Sequence, residues 1–266
     1  MLGYDKSFYE RRSQEQKSDI KLILVELLKM FPHIKSAVDI GCGPGGWLAA
    51  IEQLGIKEIL GVDGPWVPQE SLMIQPEMFV AHNLNESFPL LRRYDLAISL
   101  EFAEHLLQER ADAFVNFLTN TSDIILFSAA IPMQGGTNHY NEQWPSYWAN
   151  LFRQYGFIFV DLLRWKFWNY ENIPVWYRQN IFIIVKQNMV SNNEQLLSYF
   201  ANSSDVIFDV VHPEWYIIKR MYANSKISEL EKNILSKKKE NIDELSIKYL
   251  CRYILKKIYN KIRSWL

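Results

Sequence analysis

The stretch Val38-Asp39-Ile40-Gly41-Cys42-Gly43-Pro44-Gly45-Gly46-Trp47 places an apolar run, an acid and a glycine-rich turn in direct succession. Gly41, Gly43 and Gly46 match the pattern G-x-G-x-x-G. Glycines at this spacing let the chain turn tightly off a strand and bring its backbone against a ligand before a helix begins. The stretch therefore predicts a buried strand, a ligand-binding turn and a helix, in that order.

A second acid follows at the end of the next predicted strand. The run 58–63 reads as a strand that ends in Asp63, a position that suits a carboxylate accepting both hydroxyls of a ribose. Dinucleotides and adenosyl-sulfonium ligands both carry such a ribose, and Asp39 distinguishes them. A carboxylate beside the glycine turn would repel a pyrophosphate, whereas a ligand with an ammonium and a sulfonium tolerates it.

At these residues the chain resembles the class I S-adenosylmethionine-dependent methyltransferases of the small-molecule type, whose first motif reads approximately V-D-I-G-C-G-x-G. The resemblance implies an α/β fold: a Rossmann-like seven-stranded methyltransferase sheet with helices on both faces. It also implies S-adenosyl-L-methionine as cofactor, bound by Asp39, Gly41, Cys42, Gly43, Gly46 and Asp63. Two alternatives stay open, namely an NAD-dependent oxidoreductase and a non-catalytic S-adenosylmethionine-binding scaffold that recruits partners through its C-terminal helices.

Helical and strand patterns alternate along the chain, as a parallel sheet requires. The predicted strands lie at about 36–40, 58–62, 78–81, 94–100, 123–128, 157–163 and 181–186, and the predicted helices at about 13–31, 45–54, 108–119 and 144–155. The last two strands are joined without a long helix. This favours the antiparallel pair that closes a methyltransferase sheet, since a dinucleotide fold more readily continues with another crossover helix.

The residues just after the third and fourth strands complete the predicted cofactor site, because ligands of open parallel sheets bind at the carboxyl ends of the strands. Asn83 and Leu84 follow the third strand. Asn83 stands where many methyltransferases place an aspartate that bonds the adenine amino group, and an amide oxygen can also accept that bond. Glu101 follows the fourth strand and is the last predicted cofactor contact.

The acids and the histidine after the fourth strand also raise the question of a metal. Glu101 and His105 are four residues apart and could share one face if this segment were helical, with Glu104 beside them. A further ligand is not apparent in the sequence. We therefore predict no metal site.

A long segment, 128–145, follows the fifth strand and contains Gly135, Gly136 and His139. A loop of this length at the functional edge of a sheet is typical of a lid or a substrate loop, and the glycine pair would give it hinge freedom. An aromatic cluster closes it, formed by Trp144, Tyr147 and Trp148. These rings either stack on a sugar or an aromatic acceptor, or pack the following helix on the sheet.

Methyl transfer to a hydroxyl requires removal of a proton, and histidine is the side chain best suited to that near neutral pH. His139 is the first candidate for this catalytic base because it lies in the polar loop. His105 is the second, since the resemblance places an acid-then-histidine run near the sulfonium and the substrate. We predict O-methylation of a sugar, a glycan-linked intermediate or another small-molecule hydroxyl, within glycan biosynthesis.

The C-terminal part of the chain differs in composition. We predict a methyltransferase domain at 1–187, a linker with a helical segment at 188–246, and a basic amphipathic helix at 247–266. Residues 247–266 carry six basic and no acidic residues, whereas residues 1–246 have a net charge of −7. This pattern predicts binding to a membrane surface, to a partner helix or to the chain's own domain, and not to nucleic acid.

The sequence shows no secretory signal and no apolar run long enough to span a membrane. We therefore predict a cytoplasmic protein, with peripheral attachment to the inner face of the membrane through the basic helix.

Overall fold

The computed structural model of the chain describes residues 20–86, 92–202, 207–239 and 247–263. It divides into two compact units, Met1–Trp215 and Tyr216–Leu266.

The first unit is built on one seven-stranded sheet with the strand order β3-β2-β1-β4-β5-β7-β6. The strands are β1 Ser36–Ile40, β2 Glu58–Asp63, β3 Phe79–Ala81, β4 Leu96–Leu100, β5 Ile124–Ser128, β6 Phe157–Val160 and β7 Phe182–Lys186. The pairs within β1 to β5 are parallel, while β7 runs antiparallel to both β5 and β6. This topology confirms the predicted fold, including the antiparallel closing pair.

Seven helices of the described chain belong to the same unit: α1 Ile20–Met30, α2 Gly46–Gln53, α3 Ala111–Thr121, α4 Pro145–Gln154, α5 Leu163–Phe167, α6 Val175–Asn180 and α7 Glu194–Asn202. The first predicted helix began at residue 13, and its part before residue 20 lies outside the described residues. The sixth strand ends at Val160, earlier than predicted, because α5 begins at Leu163. The short helices α5 and α6 join the last two strands.

Helices cover both faces of the sheet. Successive residues of β4 belong to different hydrophobic clusters, with Leu96 and Ile98 in one and Ala97 in the other. Helix α1 contributes to the first cluster with the buried residues Ile20, Ile23, Leu24, Leu27 and Met30, whose spacing marks one helical face. Burial on both faces leaves the carboxyl edge of the parallel strands as the place for a site.

Residues 207–214, which fall in the predicted linker, pack against the first unit through two buried arginines. Arg164 donates a hydrogen bond to the Phe208 carbonyl at 2.7 Å. Arg178 forms an ion pair with Glu214 at 2.6 Å. The predicted boundaries at 187 and 246 remain predictions, although these contacts hold the chain to the first unit well beyond residue 187.

The long helix α8, Pro213–Lys239, leads into the second unit, and α9 spans Ile247–Arg263. Apolar residues of α9 stay exposed, among them Leu255, Ile258 and Tyr259. The predicted terminal Trp265 and Leu266 lie outside the described residues. Among the helices that the structure describes, none is both long and apolar enough to cross a membrane.

Candidate active site

The glycine turn that follows β1 adopts backbone conformations that favour glycine. Gly41, Gly43 and Gly45 have φ values of +83°, +54° and +86°. A Cβ atom on Gly41 would lie 2.3 Å from the side chain of Phe102, so the loop after β4 packs directly on this turn. A Cβ on Gly43 would meet no described atom within 4 Å. The turn is therefore closed on its Phe102 side and open at Gly43.

Asp63 reaches from the end of β2 to this turn. Its Oδ2 accepts a hydrogen bond from the Gly43 N–H at 2.6 Å, and its Oδ1 accepts one from the Gly64 N–H at 2.6 Å. The side chain is largely buried. The acid and the glycines, separated in sequence, thus form one structure at the carboxyl edge of the sheet.

Asp39 adds negative charge beside the turn, and Cys42 lies within the turn. Asp39 is buried within β1, between its register partners Gly61 and Ile98. Burial raises the pKa of the Cys42 thiol well above its ordinary value, and the charges of Asp39 and Asp63 raise it further. Cys42 is therefore a neutral thiol between two acids.

The two residues predicted to hold the adenine lie in the turn after β3. The Asn83 amide shapes this turn, since its Oδ1 accepts the Asn85 N–H at 3.2 Å and its Nδ2 donates to Glu86 at 3.0 Å. Leu84 lines a cavity of about 170 Å³ together with Leu106 and other side chains.

Glu101 lies at the end of β4, and its carboxylate is fixed by two amides. It accepts hydrogen bonds from Gln134 Nε2 at 2.8 Å and from Asn180 Nδ2 at 3.0 Å. Its φ of +50° is unusual for a residue with a side chain. The predicted helical face shared by Glu101 and His105 is wrong, because a single 3₁₀ turn, Ala103–His105, follows instead.

Three titratable side chains meet beside this turn: Glu104, His105 and His139. One ligand-type atom from each lies within 4.8 Å of the others. The rings of His105 and His139 pack edge to face, with centroids 4.9 Å apart. Glu104 is only 1% exposed. The structure thus brings the two predicted catalytic histidines together and adds a buried acid.

Backbone hydrogen bonds hold the loop after β5 in this position. The N–H groups of Tyr140 and Asn141 donate to the Glu104 carbonyl at 2.8 and 3.0 Å. A Cβ on Gly136 would lie 2.2 Å from His139 Nε2. Gly136 is therefore needed for the close approach of the histidine, a different role from the hinge that the glycine pair suggested.

Both imidazoles are oriented through Nδ1. His105 Nδ1 lies 3.2 Å from the carbonyl oxygen of Asn138, and His139 Nδ1 lies 2.9 Å from Glu142 Oε1. Burial raises the pKa of Glu142, but hydrogen bonds from His139 and from the Gly135 N–H outweigh burial and bring that pKa below its ordinary value. Both Nδ1 partners are acceptors, so each Nδ1 carries the hydrogen.

The aromatic residues at the start of α4 include a buried ring, Trp148, and an exposed ring, Trp144. Trp148 is 1% exposed and packs against Phe127, with ring centroids 5.4 Å apart. Trp144 is 38% exposed. Trp148 is a core residue, with Tyr147 packed edge to face on it at 5.1 Å, and Trp144 is the ring that can meet a ligand.

No known protein family matches the chain in sequence. The curated proteins likewise include no sequence match. Solved structures do resemble it. An S-adenosylmethionine-bound amino pentose methyltransferase from Micromonospora echinaspora superposes with a TM-score of 0.50 at 11% identity, over 70% of this chain and 99% of that one. Magnesium protoporphyrin IX methyltransferase from Synechocystis PCC 6803, also with bound S-adenosylmethionine, gives 0.49 at 19% identity, over 70% and 86%.

The chain has the fold of the class I S-adenosylmethionine-dependent methyltransferases. Within this methyltransferase fold, sequence reasoning missed Gln134 and Asn180, which fix Glu101. An isolated Gln and an isolated Asn give no signal in the sequence, because their partner becomes visible only when α6 and the loop after β5 are placed.

Proposed function

We propose that this chain is an S-adenosylmethionine-dependent methyltransferase acting on a hydroxyl of a sugar, a glycan-linked intermediate or another small molecule. One observation carries the proposal: the glycine turn with Asp63 and the oriented histidine pair lie on neighbouring loops at one edge of the sheet, joined through the contact of Gly41 with Phe102. The first part suits a nucleoside ligand, and the second suits proton removal.

The turn fits the cofactor in shape and in charge. Gly41 keeps the turn tight, and Gly43 leaves its open side accessible. The two Asp63 oxygens each accept one backbone N–H, and a carboxylate oxygen has a second lone pair for a ribose hydroxyl. The charges of Asp39 and Asp63 suit an ammonium and a sulfonium better than a pyrophosphate. S-adenosylmethionine, when bound, supplies a methyl group already activated for transfer.

The remaining predicted contacts are assigned by position. We assign the adenine to the turn of Asn83 and Leu84, where Leu84 lines a cavity and the neighbouring Asn83 carries an amide oxygen. Glu101 stays in the proposed site as a carboxylate whose orientation is set by Gln134 and Asn180.

His139 is the proposed base. Its Nδ1 donates to Glu142, so Nε2 carries the lone pair that can take a proton from the acceptor hydroxyl. A carboxylate partner also stabilises the imidazolium that forms. His105, whose ring lies 4.9 Å away, is the second candidate. Trp144 provides an exposed face on which a sugar ring can stack.

Calorimetric titration with S-adenosylhomocysteine, S-adenosylmethionine and NAD tests the proposed cofactor. We expect the two sulfur compounds to bind, and Asp63→Ala to weaken their binding by about 1.5–3 kcal/mol because a charged acceptor is lost. Asp123→Ala is a matched control, because this acid is half-exposed and pairs with Arg93 and Lys186 at the surface. Tighter binding of NAD, or full affinity in Asp63→Ala, would contradict the proposal.

We further propose that α9 attaches the protein peripherally to anionic membranes. The helix has no acidic residue, ends in Lys261 and Arg263, and exposes apolar side chains such as Leu255. Each basic residue near an anionic bilayer contributes about 1 kcal/mol, and salt screens that attraction.

Flotation with anionic and neutral vesicles tests the attachment. Deletion of residues 247–266 should abolish binding to anionic vesicles and leave S-adenosylhomocysteine affinity unchanged. Equal partitioning of the full and shortened chains would favour a partner helix, or docking on the chain's own domain, over a membrane.

A further inference from the structure

We propose that Glu104, His105 and His139 form a binding site for one divalent first-row transition-metal ion. This goes beyond the proposed methyl transfer, since the site is defined by its ligands and not by the reaction. Two imidazoles and one carboxylate form a set that binds Zn²⁺, Mn²⁺, Fe²⁺ or Co²⁺ and leaves positions for an exogenous oxygen. The sequence analysis predicted no metal because it found no further ligand beside Glu104 and His105, and the loop after β5 supplies His139.

The spacing of the three groups is close to that of a metal site. Their ligand atoms lie within 4.8 Å of one another. Tetrahedral ligands at about 2.1 Å from an ion are about 3.4 Å apart, so the longest separation in the cluster must shorten by up to about 1.4 Å. Rotation of the side chains about χ angles is enough for such a shift.

The orientation of both rings supports ligation through Nε2. A ligating histidine characteristically donates its other ring N–H to a carboxylate or a backbone carbonyl, which fixes the tautomer. His105 has the Asn138 carbonyl at 3.2 Å, and His139 has the Glu142 carboxylate at 2.9 Å. Asn138 presents its carbonyl from a backbone with φ +59°, a conformation that Asn tolerates better than most residues. The chain thus supplies the outer partner for each imidazole.

Charge also favours a cation in this cluster. Glu104 places a carboxylate in a buried position, where a negative charge is costly unless a cation lies close to it. A divalent ion between the three side chains would lie beside that carboxylate.

The position of the ion would change the part that His139 plays. A bound ion lowers the pKa of a hydroxyl that it coordinates, so the acceptor could lose its proton to solvent at neutral pH. His139 would then hold the ion instead of acting as the base. Substitution of His139 lowers turnover whether the residue is a base or a metal ligand. Only a measurement of metal binding distinguishes the two roles.

Titration of the purified protein with Co²⁺ tests the site without any methyl acceptor. We expect one Co²⁺ per chain, a visible absorption band typical of nitrogen and oxygen ligation, and competition by Zn²⁺. Each ligand substitution, Glu104→Gln, His105→Gln or His139→Gln, should weaken Co²⁺ binding at least tenfold. His33→Gln is the matched control, because His33 is exposed and lies far from this loop in sequence.

Two further variants change residues other than the three ligands. Glu142→Gln removes the outer carboxylate and should weaken Co²⁺ binding about 10–100-fold. Gly136→Ala places a Cβ where His139 Nε2 lies, and should displace that ligand and weaken binding as well. Circular dichroism checks that each variant is folded. If Glu104→Gln does not fold, the Co²⁺ absorption spectrum of the wild type still tests the site.

Absence of stoichiometric Co²⁺ binding by the folded wild type would overturn the proposal. So would an unchanged affinity in His105→Gln and His139→Gln. The titration uses no S-adenosylmethionine, so its failure is distinguishable from failure of the cofactor titration, and either proposal can stand without the other.

Discussion

The glycine turn and the histidine cluster lie on neighbouring loops but are built in different ways. The turn comes from one continuous stretch, with Asp63 added from the next strand in the chain. The cluster joins residues 104 and 105 to residue 139, and an entire helix and strand lie between them. The geometry of the turn follows from the order of its residues in the sequence. The cluster forms only because β4 and β5 are adjacent in the sheet.

The two regions also differ in what keeps them in place. Sterics fix the turn, since Gly41 has no room for a side chain next to Phe102. Hydrogen bonds fix the cluster, through the Glu104 carbonyl, the Asn138 carbonyl and the Glu142 carboxylate. We therefore expect substitutions in the turn to affect folding and cofactor binding, and substitutions in the cluster to affect the chemical step.

The largest expected effect comes from His139→Ala, which should lower turnover about 10²–10⁴-fold, the usual contribution of a general base. The affinity for S-adenosylhomocysteine should stay nearly the same, because His139 does not belong to the turn. Steady-state kinetics with a hydroxyl acceptor, beside calorimetry, measures both. If His105→Ala gives that loss and His139→Ala does not, the two roles are exchanged. Full activity in both variants would show that the cluster is not catalytic.

Trp148→Ala and Trp144→Ala distinguish core residues from residues that can contact the acceptor. Removal of the buried Trp148 ring should lower the free energy of unfolding by about 3–5 kcal/mol. Trp144→Ala is the matched substitution one helical turn earlier, and we expect less than about 1 kcal/mol there with a raised KM for the acceptor. Urea unfolding separates them, and equal losses of stability would mean that Trp144 is also structural.

Gly41→Ala and Gly43→Ala separate the cost of a strained backbone from the cost of a clash with Phe102. Gly41→Ala combines a left-handed backbone with a clash against Phe102, so we expect a loss of about 2–5 kcal/mol in unfolding free energy. Gly43→Ala has the strained backbone without the clash, and should cost about 1–2 kcal/mol. Thermal unfolding compares the two. A smaller loss at Gly41 than at Gly43 would contradict the packing of Phe102 on the turn.

The sequence predicted the sheet well because each strand is a short apolar run bounded by turn residues. It also placed Asp63 in the same site as the glycines, and the Gly43 N–H does donate to this carboxylate, while the binding of a ribose by Asp63 stays a prediction. It did not reveal the backbone at Glu101, where a left-handed residue is followed by a 3₁₀ turn. Propensity cannot reveal that break, because the amides of Gln134 and Asn180 that hold Glu101 come from distant segments.

The chain after β7 has a practical consequence for separating the two units. Arg164 and Arg178 are almost fully buried, and their acceptors include the Phe208 carbonyl and the Glu214 carboxylate. A protein shortened at residue 187 would lack the Phe208 carbonyl and the Glu214 carboxylate, while Arg164 would keep its buried ion pair with Asp161. Loss of the partner of a buried charge costs about 3–5 kcal/mol, so the larger loss falls on Arg178. The first unit is therefore best released by cutting beyond residue 215, because the chain up to that point includes both acceptors.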